Sequence, residues 1–115
     1  MDKKFNKING SIGENQAIQY LKKKKYQILA QNYKTRIGEI DIICKNKECI
    51  VFVEVKMRES CQFGRPCEAV NMHKQHKIRR VAEEYLIRSH IADTPIRFDV
   101  IEVLGDEINH IENCF

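Results

Sequence analysis

The sequence has no Trp, only two Pro and five Gly among 115 residues, and no linker rich in Pro, Gly or Ser. Nothing divides the chain, and compact domains hold on the order of 100–200 residues, so a single domain is expected over residues 10–115. No apolar run approaches the roughly 20 residues that span a bilayer, which excludes a transmembrane helix, and no membrane partner is expected. Residues Met1 to Lys7 lack the apolar core of a secretory signal, so the expected location is the cytoplasm. Internal repeats and low-complexity tracts are absent too. With 43% apolar residues, disorder is excluded for most of the chain. The five cysteines include no C-x-x-C pair and read as reduced thiols. The spacing of Cys61, Cys67, His73 and His76 matches no compact zinc pattern.

The net charge of +4 says little, but its distribution says more. Lys22–Lys25 form one basic run. Lys74, Lys77, Arg79 and Arg80 form another, with His73 and His76 beside them. Such clusters suit a polyanion, and they equally suit a solvated helix face.

Residues 1–9 are polar and expected to be flexible. Ala17, Ile18 and Leu21 recur at helical spacing between Ser11 and about Lys24. Tyr26–Thr35 alternates poorly but is compatible with a strand. Gly38 opens a clear strand, Glu39–Cys44, and a polar turn leads into Cys49–Met57. Residues 58–70 hold Gly64 and Pro66 and read as a loop. Ile78, Val81, Ala82 and Tyr85 sit at i, i+3, i+4 and i+7 of a helix from about Asn71 to Ser89. A strand over Arg97–Val103 and a short one near Ile108–Ile111 close an α-β-β-β-α-β-β order. That order predicts an α/β mixed sheet flanked by helices.

The strand 50–56 has two faces that disagree. Val51, Val53, Val55 and Met57 make an apolar face, whereas Ile50, Phe52, Glu54 and Lys56 turn from apolar to charged. A strand this apolar is expected to be central and covered on both sides. Burying a carboxylate and an ammonium at its end costs several kcal/mol unless partners compensate. Two readings stand: a salt bridge where the strand meets solvent, or a site.

Asp41 breaks the pattern of the neighbouring strand, where Ile40, Ile42 and Cys44 are assigned to one face and Glu39, Asp41 and Ile43 to the other. With Asp41 paired opposite Phe52, and Glu39 opposite Glu54, the carboxylates share a face. An even register, one residue away, would throw Asp41 to the opposite face. Glu14 extends the apolar stripe of the first helix, which directs it toward the same site. Ser11 to Glu14 also fits a capping box, which would tie Glu14 to the start of its own helix. Arg97 and Asp99, flanking Phe98, read as a structural ion pair.

Asp41, twelve residues, then Glu54-Val55-Lys56 resembles the D-xₙ-(D/E)-x-K signature of restriction-endonuclease-like nucleases. Gly13-Glu14, Asn32, Gly38-Glu39-Ile40-Asp41, Phe52–Arg58, Phe63-Gly64, Lys74 and Arg97–Asp99 add context over residues 10–104. Together they resemble the YraN family of small bacterial proteins, which is similar to archaeal Holliday-junction resolvases and tRNA-endonuclease-like domains. The resemblance implies a restriction-endonuclease-like fold and a catalytic set of Glu14, Asp41, Glu54 and Lys56. Ile40, rather than Pro, precedes Asp41, which leaves the chemistry intact because Pro ligates nothing.

A divalent cation, Mg²⁺ or Mn²⁺, would take hard oxygen ligands from Asp41, Glu54 and Glu14. Lys56 would orient a water and offset charge on the transition state. Lys74, Lys77 and Arg80 share one flank of the second helix and, with Arg58, are the expected phosphate contacts. His73 reads as a helix-surface histidine. The expected activity is metal-dependent hydrolysis of phosphodiester bonds in structured or branched DNA. The alternative is a nucleic-acid-binding module of the same fold that does not cut. By analogy with resolvases, a homodimer is a further expectation.

Overall fold

In the computed structural model, residues 3–58 and 70–115 are described, residues 3–11 as helical backbone. The elements follow in the order α1 (Lys3–Lys23), β1 (Gln27–Lys34), β2 (Glu39–Asn46), β3 (Cys49–Met57), α2 (Met72–Arg88), β4 (Ile96–Leu104) and β5 (Glu107–Ile111). The expected element order holds throughout. Helix α1 begins well ahead of Ser11, so Ser11 is an interior helical residue and cannot cap a helix start. The capping-box reading of Glu14 falls with it.

The five strands form one mixed sheet in sequence order. Three neighbouring pairs are antiparallel, and β3 with β4 is the parallel pair. A parallel pair needs a crossover, and residues 58–95, with α2, supply it. Central β3 is covered on both faces, as its apolar run requires. On one side α1 packs Ala17, Ile18 and Leu21 against Ile42, Val51, Val53 and Ile101. On the other, α2 packs Ile78, Val81 and Ala82 against Ile43, Phe52, Phe98 and Val100. Each fully buried Leu, Ile or Phe contributes about 1.5–3 kcal/mol relative to leaving it exposed.

Local signals set the boundaries of these elements. Asn71 caps α2, its side-chain oxygen accepting from the Lys74 amide at 2.9 Å. Gly105, at φ +60, turns β4 into β5. Gly13 is buried where α1 crosses the end of β3, and a Cβ there would run into the Met57 side chain. The thioether of the exposed Met57 side chain occupies the space that a Cβ would take.

The β2–β3 register differs from the sequence expectation by one two-residue step. Ile43, not Asp41, lies opposite Phe52, and Ile42 lies opposite Val53. The turn is Lys47-Glu48 alone, with Lys47 at φ +58 and Asn46 paired to Cys49. Glu39 therefore does not face Glu54. The parity survives, and continuing the register brings Asp41 level with Glu54.

The alternation of β2 breaks at Asp41. Ile42 and Cys44 join the α1-side core, but Ile40 joins the α2-side core, so the three do not share a face. Across the β1–β2 ladder, Gln31–Ile42 and Tyr33–Ile40 flank the irregularity, and Asn32 between them has φ +49. The register shift of this ladder lies between Ile28 and Ala30. These two irregularities account for the poor alternation of residues 26–35.

Cys44 and Cys49 are free, as expected, and burial pushes the Cys44 thiol up to about 12. Cys114 is disulfide-bonded, against that expectation. The loop expected over 58–70 falls almost wholly outside the described residues, as do Cys61 and Cys67.

Candidate active site

The last ladder pair of β2 and β3 is Ile42–Val53, and the site begins one residue beyond it. There the Val55 amide donates to Asp41 Oδ2 at 2.8 Å. A side-chain carboxylate takes the place of a backbone carbonyl, so Asp41 is held at the junction of the two strands. Its neighbour Glu54 is 4% exposed, and no donor reaches Glu54 Oε1. Its other oxygen, Oε2, lies 3.7 Å from Lys74 Nζ.

Electrostatics at this point are strained. Burial, then the Asp41 charge and a hydrogen bond with the Asp41 carboxylate, push the Glu54 carboxyl up to about 8, while Lys74 opposes the rise. Lys56, two residues further along the same face of β3, moves the other way. Burial, and after it contact with the Lys74 ammonium, lower its ammonium to about 8 against the pull of Glu54 and Asp41. Glu14 reaches the cluster from α1 and is raised first by burial and then by Asp41, against a hydrogen bond with Asn32. Asn32 is thus part of the site through Glu14. The signal that could have found it was an Asn in a strand of poor alternation, since Asn tolerates the left-handed region.

The carboxylates open onto a cleft of about 450 Å³ between β2 and the start of α2, lined by Glu39, Asp41, Glu54, His73, Lys74 and Lys77. His73 and Lys77 are exposed, as is Arg80. Lys74 is not among the free cations, because its ammonium is turned onto Glu54. Arg58 is likewise engaged, with its Nε 3.0 Å from Glu102 Oε2. The four residues expected to grip phosphate therefore divide: Lys77 and Arg80 present their charge to solvent, whereas Lys74 and Arg58 are ion-paired.

Among the described residues no group of three or more His, Cys, Asp or Glu closes into a metal cage. Mg²⁺ does not require one, since it is commonly held by one or two carboxylates with waters and substrate phosphates completing an octahedron. Asp41 and Glu54 meet that requirement. The orphaned Glu54 Oε1 is an acceptor without a donor at a buried position, which is chemically suited to a hard cation.

Arg97 and Asp99 form the ion pair their spacing suggested, and it is part of a larger network on the α1-covered face of the sheet, level with Val51 and Val53. Arg97 contacts both oxygens of the fully buried Asp99, at 2.8 and 2.9 Å, and also donates to the Tyr26 hydroxyl. His110 Nε2 lies 2.7 Å from Asp99 Oδ2, and the Asn113 amide donates to Oδ1. Burial would raise the Asp99 carboxyl, but His110, Arg97 and the Asn113 amide outweigh it and hold the group below its ordinary value. This network is fully satisfied, and it ties β5 and the chain after it to β4.

Fold and site together define an α/β protein with a mixed five-stranded sheet, a helix on each face, and an Asp–Glu–Lys cluster where two central strands part. The chain belongs to UPF0102, described as an uncharacterised protein family, whose pattern matches residues 13–103. It is 52% identical to a UPF0102 protein of Clostridioides difficile, covering 96% of this chain and 98% of that one. A UPF0102 protein of Alkaliphilus oremlandii is 55% identical, covering 96% and 100%. One from Caldanaerobacter subterraneus is 50% identical, covering 98% and 99%. Among the described residues, no helix is long and apolar enough to cross a membrane.

Proposed function

We propose that this protein is a metal-dependent nuclease that hydrolyses phosphodiester bonds in structured or branched DNA. The observation that carries the reading is the pairing of a buried, donor-free carboxylate oxygen on Glu54 with Asp41 across the strand junction, and Lys56 on the same face. The Lys74 ion pair engages Oε2 and leaves Oε1 without a donor. That oxygen is left for a ligand.

Asp41 and Glu54 would hold Mg²⁺ or Mn²⁺, with Glu14 at the margin through Asn32. The bound ion supplies polarisation of the phosphate and a more acidic water. Lys56 orients the attacking water and offsets negative charge as it builds on the phosphate. Partial burial keeps this ammonium close to its neutral form, which suits a group that exchanges a proton with water near neutral pH. Lys77 and Arg80, on the exposed flank of α2, hold backbone phosphates and fix the register of the nucleic acid.

The test is cleavage of single-stranded, duplex, flapped and four-way DNA in Mg²⁺ and in Mn²⁺, with Glu54→Gln as the control. Cleavage lost in Glu54→Gln supports the reading. Binding without cleavage by the unmodified protein would instead favour a non-catalytic module, for which the Lys74–Glu54 ion pair is the supporting observation.

A further inference from the structure

The assignment of a cation site at Asp41 and Glu54 leaves the position of Lys74 unexplained. Its backbone is fixed, because the Lys74 amide donates to the capping Asn71 side chain. Its stem crosses the cleft, and its ammonium stops 3.7 Å from Glu54 Oε2, beyond a good hydrogen bond but close enough to neutralise the carboxylate. The Lys74 side chain keeps 41% of its exposure, whereas Glu54 keeps 5%. The ammonium can therefore withdraw into water by rotating its stem, and Glu54 cannot follow it. Lys56 stands on β3, partly buried as Lys74 is, beside the same two carboxylates and in contact with the Lys74 ammonium. Glu54 Oε1 remains without a donor even with Lys74 in place, so the lysine fills the charge requirement of the pocket without filling its coordination.

We propose that Lys74 is the built-in counter-cation of the carboxylate cleft, occupying the divalent ion's place beside Glu54 and leaving it when the ion binds. The proposal rests on the metal-site reading above and adds a competitor to it. A monovalent ammonium on a four-carbon stem keeps a buried carboxylate tolerable until a better ligand arrives. Once displaced, Lys74 points its charge into the same cleft as Lys77, where a phosphate would meet it.

The experiment is calorimetric titration of Mg²⁺, and separately Mn²⁺, into the full chain and into Lys74→Met, in mildly alkaline buffer so that the carboxylates are ionised in both. Met keeps the packing of the stem and removes the charge. Lys45→Met, which removes a charge at the far end of β2, reports the effect of net charge alone. Thermal unfolding with and without metal supplies a second readout, and Lys74→Gln serves if Lys74→Met does not fold.

Removing a cation a few ångströms from the bound ion is expected to tighten Mg²⁺ binding by about tenfold. The metal-induced rise in melting temperature should be larger in Lys74→Met than in the unmodified chain. Lys45→Met should match the unmodified chain. Equal or weaker metal binding by Lys74→Met overturns the proposal and leaves the metal site standing. Failure of every protein to bind metal overturns both. Equal tightening in Lys45→Met reduces the effect to net charge, and that also overturns it.

Discussion

The Val55 amide donates to Asp41 Oδ2 at 2.8 Å, across two strands whose backbone ladder has already ended. Val55 is the residue between Glu54 and Lys56, so this one bond fixes Asp41 against both members of the E-x-K segment. It also makes Asp41 a structural residue as well as a candidate ligand, and the two roles separate by substitution.

Asp41→Asn keeps an oxygen that accepts from Val55 and removes the charge. Its urea midpoint is expected to stay near that of the unmodified chain, while Mg²⁺-induced stabilisation disappears. Asp41→Ala leaves the Val55 N–H without its partner and should cost about 1–2 kcal/mol in the same titration.

Glu54 gives a pH signature. Its carboxyl is raised from an ordinary 4.5 to about 8, so the fold favours the neutral form. The stability this confers is complete at acid pH and is lost as pH rises through about 8. Glu54→Gln stays neutral, so in chelator its stability advantage over the unmodified chain should grow between about pH 5 and pH 8, to the order of 1–3 kcal/mol. Excess Mg²⁺ should reverse the ranking by stabilising only the unmodified chain. Parallel pH curves for the two proteins would remove Glu54 from the role given to it.

Lys56 matters most when negative charge accumulates on the phosphate. Lys56→Ala should abolish cleavage and leave Mg²⁺ affinity within about tenfold, or roughly 1.4 kcal/mol. Single-turnover cleavage alongside metal titration measures both. Cleavage at the normal rate would show that the assigned role of Lys56 is wrong.

Lys77 and Arg80 are exposed on one flank of α2. Lys77→Ala with Arg80→Ala should weaken binding to unrelated DNA sequences alike. The log–log salt dependence should flatten by roughly one unit for each phosphate that is no longer gripped. Unchanged affinity and slope, read by fluorescence anisotropy at several salt concentrations, would return this flank to the status of a solvated helix face.

Asp99 is fully buried and holds Arg97, His110 and the Asn113 amide. Asp99→Ala would strand the Arg97 charge and is expected to cost about 3–5 kcal/mol in chemical denaturation. The Asp99 carboxyl sits below its ordinary value, so its contribution is present above 3.8 and fades as pH falls further. The unmodified chain should therefore lose more stability than Asp99→Asn in the most acidic part of the titration.

The element order, the central place of β3 and the meeting of Asp41 with Glu54 and Lys56 were legible from alternation and spacing. These depend on period-two patterning, which each strand carries in its own residues. The register step was not, because any odd register satisfies the same alternation. Nor was the break at Asp41, where Ile40 and Ile42 pass to opposite cores, since it arises from the left-handed Asn32 on a different strand. Lys74 looked like its neighbours on α2. Its turn toward Glu54 depends on where the helix sits over the sheet, and no local pattern encodes that.

The parallel pairing of β3 with β4 has a consequence for how the chain reaches this structure. Strands β1, β2 and β3 meet through short connections, but β4 joins only after the chain spanning 58–95 has closed. Closing that loop carries an entropic cost before any contact rewards it, which slows such steps. Asp41 and Glu54 are thus expected to come together early, in a three-stranded meander still open to water. The cost of burying Glu54 then falls on the late step, when β4 and α2 arrive. Amide protection in pulsed hydrogen exchange should appear in β2 before β4, and divalent cations should accelerate the second phase by relieving that charge. Simultaneous protection of both strands would mean that the sheet closes in one event.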